Sequence, residues 1–220
     1  MRFEVKFTYP AHFDSRVMVW VKAHSQGFRT AYPPRRINNV YFDTRELSAF
    51  GENLAGISNR SKVRYRWYGD SLLPKAGTLE FKNKRAALGW KDNYRVEFDP
   101  YREGDRWRDF QRNLRRAIPV ATRIPFDEHG EPVLINRYSR RYFESYDRRI
   151  RITLDSDQEM FDQMRGSLPN ITRRLNLPEV HVLELKCESG DRDLAVRALS
   201  DCPIRATRFS KYTIGSELRG

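Results

Sequence analysis

The chain has 220 residues, of which 41 are Lys or Arg and 29 are Asp or Glu, giving a formal net charge of +12. A hydrophobic content of 39%, with 13% aromatic residues, excludes a disordered chain and predicts a single domain over residues 1–220. The cationic excess favours a polyanionic partner, which is a nucleic acid, an acidic membrane surface or a phosphate compound.

Strand-like segments, with β-branched or aromatic residues at every second position, alternate with amphipathic helical segments along the chain. We predict strands at 2–8, 37–43, 61–68, 77–84, 93–98, 137–143, 148–154, 181–187 and 205–211. We predict helices at 13–24, 44–54, 105–117, 157–165 and 191–199, with Asp14 and either Asp43 or Thr44 as caps. The segment 119–136 is rich in proline and turn residues, which indicates a loop leading into a strand.

Several of the predicted strands carry a charged face that contains cations. In "KVRYRWYG", which begins at Lys62, the alternation of a strand puts three cations on one face and one aliphatic and two aromatic residues on the other. The charged positions of these strands are Arg2, Glu4 and Lys6; Lys62, Arg64 and Arg66; Glu80, Lys82 and Lys84; Arg149 and Arg151; and Glu184 and Lys186.

Two interpretations of these charged faces are open. One is an antiparallel sheet whose charged face meets water. The other is a barrel of about eight strands, with the charged faces lining a wet lumen that holds a ligand and with helices covering the outside. An inward array of cations would repel itself unless a polyanion or its own glutamates neutralised it.

Two features bear on the location of the protein. The N-terminal segment is not apolar, and no run of about 18 apolar residues is present, so we expect a soluble, cytoplasmic protein. The two cysteines, Cys187 and Cys202, lack a zinc-type CxxC spacing and fit structural thiols in a reducing compartment.

Seven ordered segments extend over nearly the whole chain, from Glu4 to Gly215. They read "EVKF", "INNVYFDT", "KVRYRWYG", "LEFKNK", "RYSRRYFESYDRRIRITLDSD", "LELK" and "RFSKYTIG". In this order they resemble the VTC domain, named for the vacuolar transporter chaperone complex, which is the polyphosphate polymerase branch of the triphosphate tunnel metalloenzyme superfamily. The resemblance implies an α+β, mainly antiparallel β fold: an eight-stranded triphosphate tunnel barrel with a charged lumen and peripheral helices.

The resemblance also implies an activity. In that family, ATP donates its terminal phosphoryl group to a growing polyphosphate chain and ADP leaves, with Mn²⁺ or Mg²⁺ as the cofactor. The implied partners are ATP and polyphosphate or tripolyphosphate, and no nucleic acid. Export of the product would need a separate membrane protein, through which this chain would associate with a membrane.

The residues that match the family's motifs fall into three groups. Those at basic positions, which would act in catalysis, are Lys6, Arg64, Arg66, Lys82, Arg140, Arg151 and Lys211. Those assigned to cofactor binding are Lys91, Lys186, Arg208 and Ser210. Glu184 matches the metal-binding carboxylate, and Glu4 and Glu80 either assist it or pair with lysines.

These residue types suit phosphoryl transfer, which is accelerated mainly by positioning and by stabilising charge on the transferring group, without a protein nucleophile. Arginine grips two phosphate oxygens in a fixed plane, whereas lysine acts as a mobile point charge. A hard divalent cation prefers oxygen ligands and often uses only one or two carboxylates. The predicted residues therefore supply both the phosphate contacts and the metal ligands of such a reaction.

Three other functions are open. The hydrolytic branch of the superfamily begins with Glu-x-Glu-x-Lys, but this chain has Arg2 at the first position of "RFEVK", which favours the polymerase branch over a triphosphate or polyphosphate hydrolase. An inactive polyphosphate-binding module would keep the basic positions without turnover. A nucleic-acid binder would stack Tyr65, Trp67 and Tyr68 on bases, but the aromatic residues alternate with the cations onto the opposite face.

Overall fold

The computed structural model describes residues 2–86, 88–207 and 210–218. These residues divide into two compact units. Unit 1 contains residues 2–36, 138–158 and 178–207, and unit 2 contains residues 37–86, 88–137, 159–177 and 210–218. Within the described residues, no helix combines the length and the apolar character that crossing a membrane requires.

The strands form one antiparallel sheet. They are β1 (Arg2–Pro10), β2 (Arg29–Asp43), β3 (Arg60–Tyr68), β4 (Gly77–Arg85), β5 (Leu88–Val96), β6 (Glu131–Glu144), β7 (Ile150–Asp162) and β8 (Val180–Glu188). Their order in the sheet is β1-β8-β7-β6-β2-β3-β4-β5, which confirms the predicted α+β fold with eight antiparallel strands. The order is linear, with β1 and β5 at its ends, so the described strands make an open sheet and not a closed barrel.

The described residues contain six α-helices: α1 (Asp14–Ala23), α2 (Ser48–Leu54), α3 (Trp107–Ala117), α4 (Val120–Glu128), α5 (Arg192–Ala198) and α6 (Lys211–Glu217). The cap predicted at Asp43 or Thr44 is wrong in position, because the N-cap of α2 is Leu47, which makes no side-chain hydrogen bond. Asp43 nevertheless binds the first turn of this helix from further away in the chain. The carboxylate of Asp43 accepts the backbone N–H groups of Ala49 at 2.9 Å and of Phe50 at 3.0 Å. The hydroxyl of Tyr212, in α6, donates to the same carboxylate.

Asp14, the other predicted cap, has a different role. It is the first residue of α1, which has no side-chain cap. Its carboxylate accepts a hydrogen bond from the hydroxyl of Tyr9 at 3.1 Å and one from Arg141 at 2.7 Å, and it lies 2.9 Å from Nδ1 of His181. Asp14 therefore joins α1 to three strands of unit 1.

The helix predicted at 157–165 is wrong, because β7 continues to Asp162. Met160 and Phe161 are both buried, and they belong to two different clusters of the unit 2 core. Consecutive residues of a strand point to opposite faces, so both faces of β7 are covered here. A strand buried on both faces lacks the polar alternation by which a half-buried strand is recognised.

The loop predicted at 119–136 contains α4, followed by the start of β6. Pro125 lies inside this helix, although proline removes one backbone hydrogen bond and usually ends a helix. Phe126, the next residue, is 1% exposed and packs in the unit 2 core. Packing of this side chain therefore outweighs the local preference of the sequence.

The strand predicted at 205–211 is also wrong. Ala206 makes a single isolated bridge to β1, and α6 begins at Lys211. The hydroxyl of Ser210 accepts the backbone N–H of Thr213 at 3.4 Å, in the manner of a helix N-cap. Ser210 and Lys211 therefore lie at the start of a helix, whereas Arg208 lies outside the described residues.

Each unit packs helices against the apolar faces of its strands. In unit 1, the buried residues of β1, β7 and β8 pack with Trp20 of α1 and Ala195 of α5. In unit 2, Tyr65 and Trp67 of β3 belong to the same buried cluster as Phe110 of α3. The predicted helical cover is confirmed in both units, and the charged side chains occupy the opposite face of these strands.

Gly77 begins β4, where it lies next to the strand that carries Arg66. A Cβ atom at Gly77 would overlap the carbonyl oxygen of Arg66 and lie 3.0 Å from its carbonyl carbon. We expect Gly77→Ala to lower the free energy of unfolding by about 1–3 kcal/mol, the usual cost of overpacking. Urea denaturation measures this change.

The matched control is Gly51→Ala, within α2, where a Cβ atom meets nothing within 4 Å. Because alanine is the better helix former, we expect this variant to gain about 0.5–1 kcal/mol. Equal effects of the two substitutions would contradict the close approach of β3 and β4 at Gly77.

Candidate phosphate-binding site

A buried glutamate surrounded by cations lies on the charged face of unit 2. Glu80, on β4, is 5% exposed. Its carboxylate accepts a hydrogen bond from Nε of Arg64, and it lies 3.8 Å from Nη1 of Arg66 and 2.8 Å from Nζ of Lys91. Arg64 lies directly opposite Glu80 in the strand register, whereas Lys91 reaches it diagonally from β5. We call these four residues the Glu80 cluster.

The charges of the Glu80 cluster lower the pKa of Glu80, and burial together with these charges shifts the pKa of Lys91. Burial alone would raise the pKa of Glu80, but Arg64, Arg66 and Lys91 overcome this effect and lower the pKa to about 2. Burial lowers the pKa of Lys91, and the two arginines act in the same direction against the attraction of Glu80. At neutral pH the cluster therefore has one ionised carboxylate among an excess of cations.

A row of lysines crosses the same face beside the Glu80 cluster. Lys62 of β3 lies opposite Lys82 of β4, which lies opposite Lys91 of β5. Like charges directly opposite one another destabilise a sheet. Lys82 and Lys91 are exposed and Lys62 is half-buried, so a polyanion bound along this row would reduce that repulsion.

Two buried asparagines fix the orientation of Arg66. Its Nε donates to Oδ1 of Asn39 at 2.9 Å, and Nδ2 of Asn39 donates to Oδ1 of Asn136 at 2.8 Å. Both asparagines are almost completely buried. Nη1 of Arg64 donates to the hydroxyl of Tyr41 at 3.4 Å. The two guanidinium groups are therefore oriented before a ligand binds, which suits two-point recognition of phosphate oxygens.

A second buried glutamate lies on the charged face of unit 1. Glu184, on β8, is 6% exposed. Its carboxylate lies 2.8 Å from Nζ of Lys186 and 3.4 Å from Nζ of Lys6. Glu4 contacts the same lysines, at 2.9 Å from Lys6 and 3.5 Å from Lys186. We call these four residues the Glu184 cluster.

Glu184 and Lys6 are also held in their charged forms. Burial alone would raise the pKa of Glu184, but Lys186, together with Lys6 and Arg140, holds it well below its usual range. Burial alone would lower the pKa of Lys6, but Glu184 and Glu4 raise it above its usual value. Glu184 and Lys6 are therefore charged at neutral pH and do not act as proton carriers.

Arg140, on β6, adjoins the Glu184 cluster. Its Nε and Nη2 atoms donate to the buried carboxylate of Asp155 at 2.6 and 2.8 Å, and its Nη2 lies 3.9 Å from Glu184. Its guanidinium group lies 5.2 Å from the ring centroid of Tyr138. Thr153 lies opposite Glu184 in the register, and its buried hydroxyl has no hydrogen-bond partner among the described residues. This oxygen is therefore a buried, unsatisfied polar atom on the strand next to Glu184.

Three predicted site residues, Arg151, Ser210 and Lys211, belong to neither cluster. Arg151, on β7, is exposed and lies opposite a lysine of the Glu184 cluster. Ser210 and Lys211 begin α6 in unit 2, where Nζ of Lys62 lies 3.5 Å from the Ser210 hydroxyl. Each unit thus brings together a different subset of the predicted residues around its own glutamate.

Sequence reasoning omits several residues that the two clusters use. The alternation of β3 places Lys62 on the face of the two arginines, but the family resemblance does not select it. Asn39 lies in a run of buried residues, so no alternation marks it as a support for a cation. Asp155 follows the charged face of β7 at the expected spacing, and this signal could have identified it as a partner for an arginine.

Comparison with known proteins places this arrangement in a family. The model of the VTC domain matches residues 11–218. The chain belongs to the VTC domain family. A putative adenylate cyclase from Vibrio parahaemolyticus is 13% identical, with 97% of this chain and 98% of that chain covered and a TM-score of 0.52, which shows a shared fold. A protein from Pyrococcus horikoshii, PH1819, is 12% identical, with 98% and 99% covered and a TM-score of 0.49. No curated protein matches the chain.

In this VTC domain, few residues are available to hold a divalent metal. No group of three or more His, Cys, Asp or Glu side chains is arranged for a metal among the described residues. Glu4 and Glu184 share two lysines, and Thr153, whose buried hydroxyl is unpaired, lies opposite Glu184 in the strand register. This donor set fits a hard cation whose other ligands are phosphate and water oxygens.

The acidity of Glu80 predicts a specific pH dependence for this VTC domain. Because its pKa falls from 4.5 to about 2 on folding, ionised Glu80 contributes stability above pH 4.5 that is lost as the pH falls towards 2. We expect Glu80→Gln to be less stable than the parent protein at pH 7. That difference should shrink by about 3 kcal/mol at pH 2, since one pKa unit corresponds to about 1.4 kcal/mol.

Urea denaturation at a series of pH values between 7 and 2 measures the difference. Glu128→Gln, at an exposed position of α4, is the matched control and should differ from the parent protein by a constant amount. A difference for Glu80→Gln that stayed constant across the same range would contradict the buried ion pair.

Proposed function

We propose that this chain is an ATP-dependent polyphosphate polymerase, which transfers the terminal phosphoryl group of ATP to a polyphosphate chain with Mn²⁺ or Mg²⁺ as cofactor. The observation that supports the proposal best is the fixed orientation of its arginines. Arg64 and Arg66 are held by Glu80 and a buried amide, and Arg140 is held by Asp155. In a VTC domain, such preoriented guanidinium groups suit repeated binding of identical phosphate groups.

The reaction needs charge stabilisation more than it needs a protein nucleophile. The bond between the terminal phosphorus of ATP and its bridging oxygen breaks, and a bond to a terminal oxygen of polyphosphate forms, so that ADP leaves. In unit 2, Arg64 and Arg66 would orient phosphate groups, whereas Lys82 and Lys91 would follow the charge as mobile cations. In unit 1, Arg140 would orient phosphate groups in the same way. The attacking phosphate oxygen is already ionised and requires no general base.

The acidity of the buried carboxylates favours transfer to phosphate over hydrolysis. A general base that activates water works best with a pKa near the working pH. The pKa values of Glu80 and Glu184 are both lowered by their cations, which makes these carboxylates weak bases. The absence of a carboxylate at Arg2, where hydrolases of the superfamily have one, agrees with this preference.

Glu184 and Glu4 would hold the divalent metal, with Thr153 beside them. When bound, the metal would supply positive charge that neutralises phosphate oxygens during transfer. Lys6 and Lys186, which now contact both carboxylates, would then turn their charge to the phosphate chain. The proposed location is the cytoplasm, and a separate membrane protein would carry the product across a membrane.

The activity is tested by incubating the purified protein with ATP and Mn²⁺ and resolving polyphosphate, phosphate and ADP. We expect polyphosphate and ADP, and we expect Glu184→Gln to lose product formation at least about 100-fold, a typical loss for a residue that stabilises transferring charge. Free phosphate without polymer would support a hydrolase instead. Absence of turnover, with tripolyphosphate still bound tightly, would indicate a binding module.

The role of the arginines is tested by the affinity for tripolyphosphate, measured by calorimetry. We expect Arg64→Gln and Arg140→Gln each to weaken binding by about 10-fold to 100-fold, because hydrogen bonds to charged groups contribute about 1.5–3 kcal/mol. Arg64→Lys should also weaken binding, since lysine lacks the planar fork.

Arg112→Gln and Arg148→Gln are the matched controls, because these arginines are 56% and 73% exposed at the side chain and form ion pairs with Asp109 and Glu144, outside the two clusters. They should bind tripolyphosphate as the parent protein does. A loss of affinity that is equal in all four variants would mean that net charge, and not the clusters, binds the ligand.

A further inference from the structure

We infer that Tyr32, Arg35 and Tyr142 of unit 1 form a binding site for the nucleobase of the ATP donor. This inference rests on the proposed function, because it concerns a nucleoside triphosphate whose phosphates bind near Arg140. It assigns a ligand to residues that lie outside both phosphate clusters. We call the three residues the aromatic site.

The aromatic site is built from two tyrosine rings and one guanidinium group. The Cζ atom of Arg35 lies 5.5 Å from the ring centroid of Tyr32 and 5.8 Å from that of Tyr142. The two rings meet edge to face, with centroids 5.8 Å apart and an angle of 89° between their planes. Arg35 is thus positioned against both aromatic rings at cation–π distance.

The site is open to a ligand. Tyr32 is 54% exposed, Arg35 is exposed, and Tyr142 is half-buried. Pro33 and Pro34 lie between Tyr32 and Arg35 on β2, and neither proline has a backbone N–H with which another strand could pair. An exposed aromatic ring beside arginine is the arrangement on which proteins stack bases, because every base has an apolar face.

The position of Tyr142 relates the aromatic site to the phosphate contacts. Tyr142 follows Arg140 by two residues on β6, so their Cα atoms are about 6.6 Å apart and both side chains point to the same face. Phe143, between β6 and the helices, is buried in the core on the other face. A base at the aromatic site would therefore lie one step along the strand from a guanidinium group that can hold its phosphates.

The position of Glu184 relative to Arg140 agrees with this placement of the base. Arg140 on β6 is separated from Glu184 on β8 by two strand spacings, about 9.6 Å, and its Nη2 lies 3.9 Å from the Glu184 carboxylate. A triphosphate can extend from Arg140 towards the lysines of the Glu184 cluster while its base remains on the aromatic site. The unpaired hydroxyl of Thr153 lies on this path, on β7.

The proposed donor and acceptor share the same phosphate chemistry, so phosphate contacts alone cannot distinguish them. A base is the part of ATP that polyphosphate lacks. Stacking at the aromatic site would bind the base of the donor next to Arg140. A purine offers more surface for stacking than a pyrimidine, so the site should favour ATP over UTP.

The test compares ATP with inorganic tripolyphosphate, each titrated into the full chain by calorimetry in the same Mg²⁺ buffer. We expect Tyr32→Ala and Tyr142→Ala to weaken ATP binding by about tenfold, within the range found for bases stacked on aromatic side chains, and to leave tripolyphosphate binding unchanged. The preference for ATP over UTP should decrease in the same variants. Thermal melting checks that both variants are folded.

Two controls separate stacking from other effects. Tyr32→Phe keeps the ring and should bind ATP as the parent protein does, even if an alanine variant folds poorly. Tyr146→Ala removes another tyrosine of unit 1, which is 77% exposed and also lies over an arginine, at 5.7 Å from Arg29. This variant should leave the affinity for ATP unchanged.

The outcomes distinguish this inference from the proposed function. If the parent protein binds tripolyphosphate but the alanine variants keep their full affinity for ATP, the base does not bind at the aromatic site and the inference is overturned. Equal loss of both ligands would also overturn it, because the residues would then support the fold or the phosphate contacts. If the parent protein binds neither ligand, the proposed function fails and the inference fails with it.

Discussion

The pairing of buried carboxylates with cations is the interaction on which the charged face of each unit depends. An isolated charge in the interior is costly, and it is retained only when partners compensate it. Glu80, Glu184 and Asp155 are all buried, and each contacts at least one arginine or lysine within 4 Å. The carboxylates therefore keep the cations in place, and the cations keep Glu80 and Glu184 ionised.

The two units differ in the charges that lie around their buried glutamates. In unit 2, Lys62, Lys82 and Lys91 lie opposite one another on three neighbouring strands beside Glu80. In unit 1, two carboxylates, Glu4 and Glu184, share the same two lysines. Cations suit phosphate oxygens, whereas paired carboxylates suit a divalent metal.

The sequence predicts the strands that obey a simple alternation and fails where packing covers both faces. β1, β3 and β8 each expose one charged face, so the period of two is visible in the residues. The end of β7 is buried on both sides and reads as a helix, and α4 contains a proline that only tertiary packing accommodates. An open sheet and a closed barrel have the same alternation, so closure cannot be predicted from it.

The candidate site is predictable to a similar extent. Alternation and family resemblance select Arg64, Arg66 and Glu80, because these residues share one face of neighbouring strands. The support of Arg66 by Asn39 and Asn136 depends on residues that are 97 positions apart, so local sequence contains no sign of it. The aromatic site likewise combines β2 and β6, which are far apart in the sequence but adjacent in the sheet. The spacing of its tyrosines in the sequence does not indicate a shared site.

Asp43 has a consequence for the local stability of unit 2. Helices α2 and α6 have only seven residues each, and helices of that length do not persist without tertiary contacts. The carboxylate of Asp43 accepts hydrogen bonds from the first turn of α2 and from Tyr212 of α6. Loss of either helix would remove some of the hydrogen-bond donors of this buried carboxyl group. The two helices should therefore open and close together, as one cooperative unit in hydrogen exchange, and Ser210 and Lys211 would be ordered only while α2 is formed.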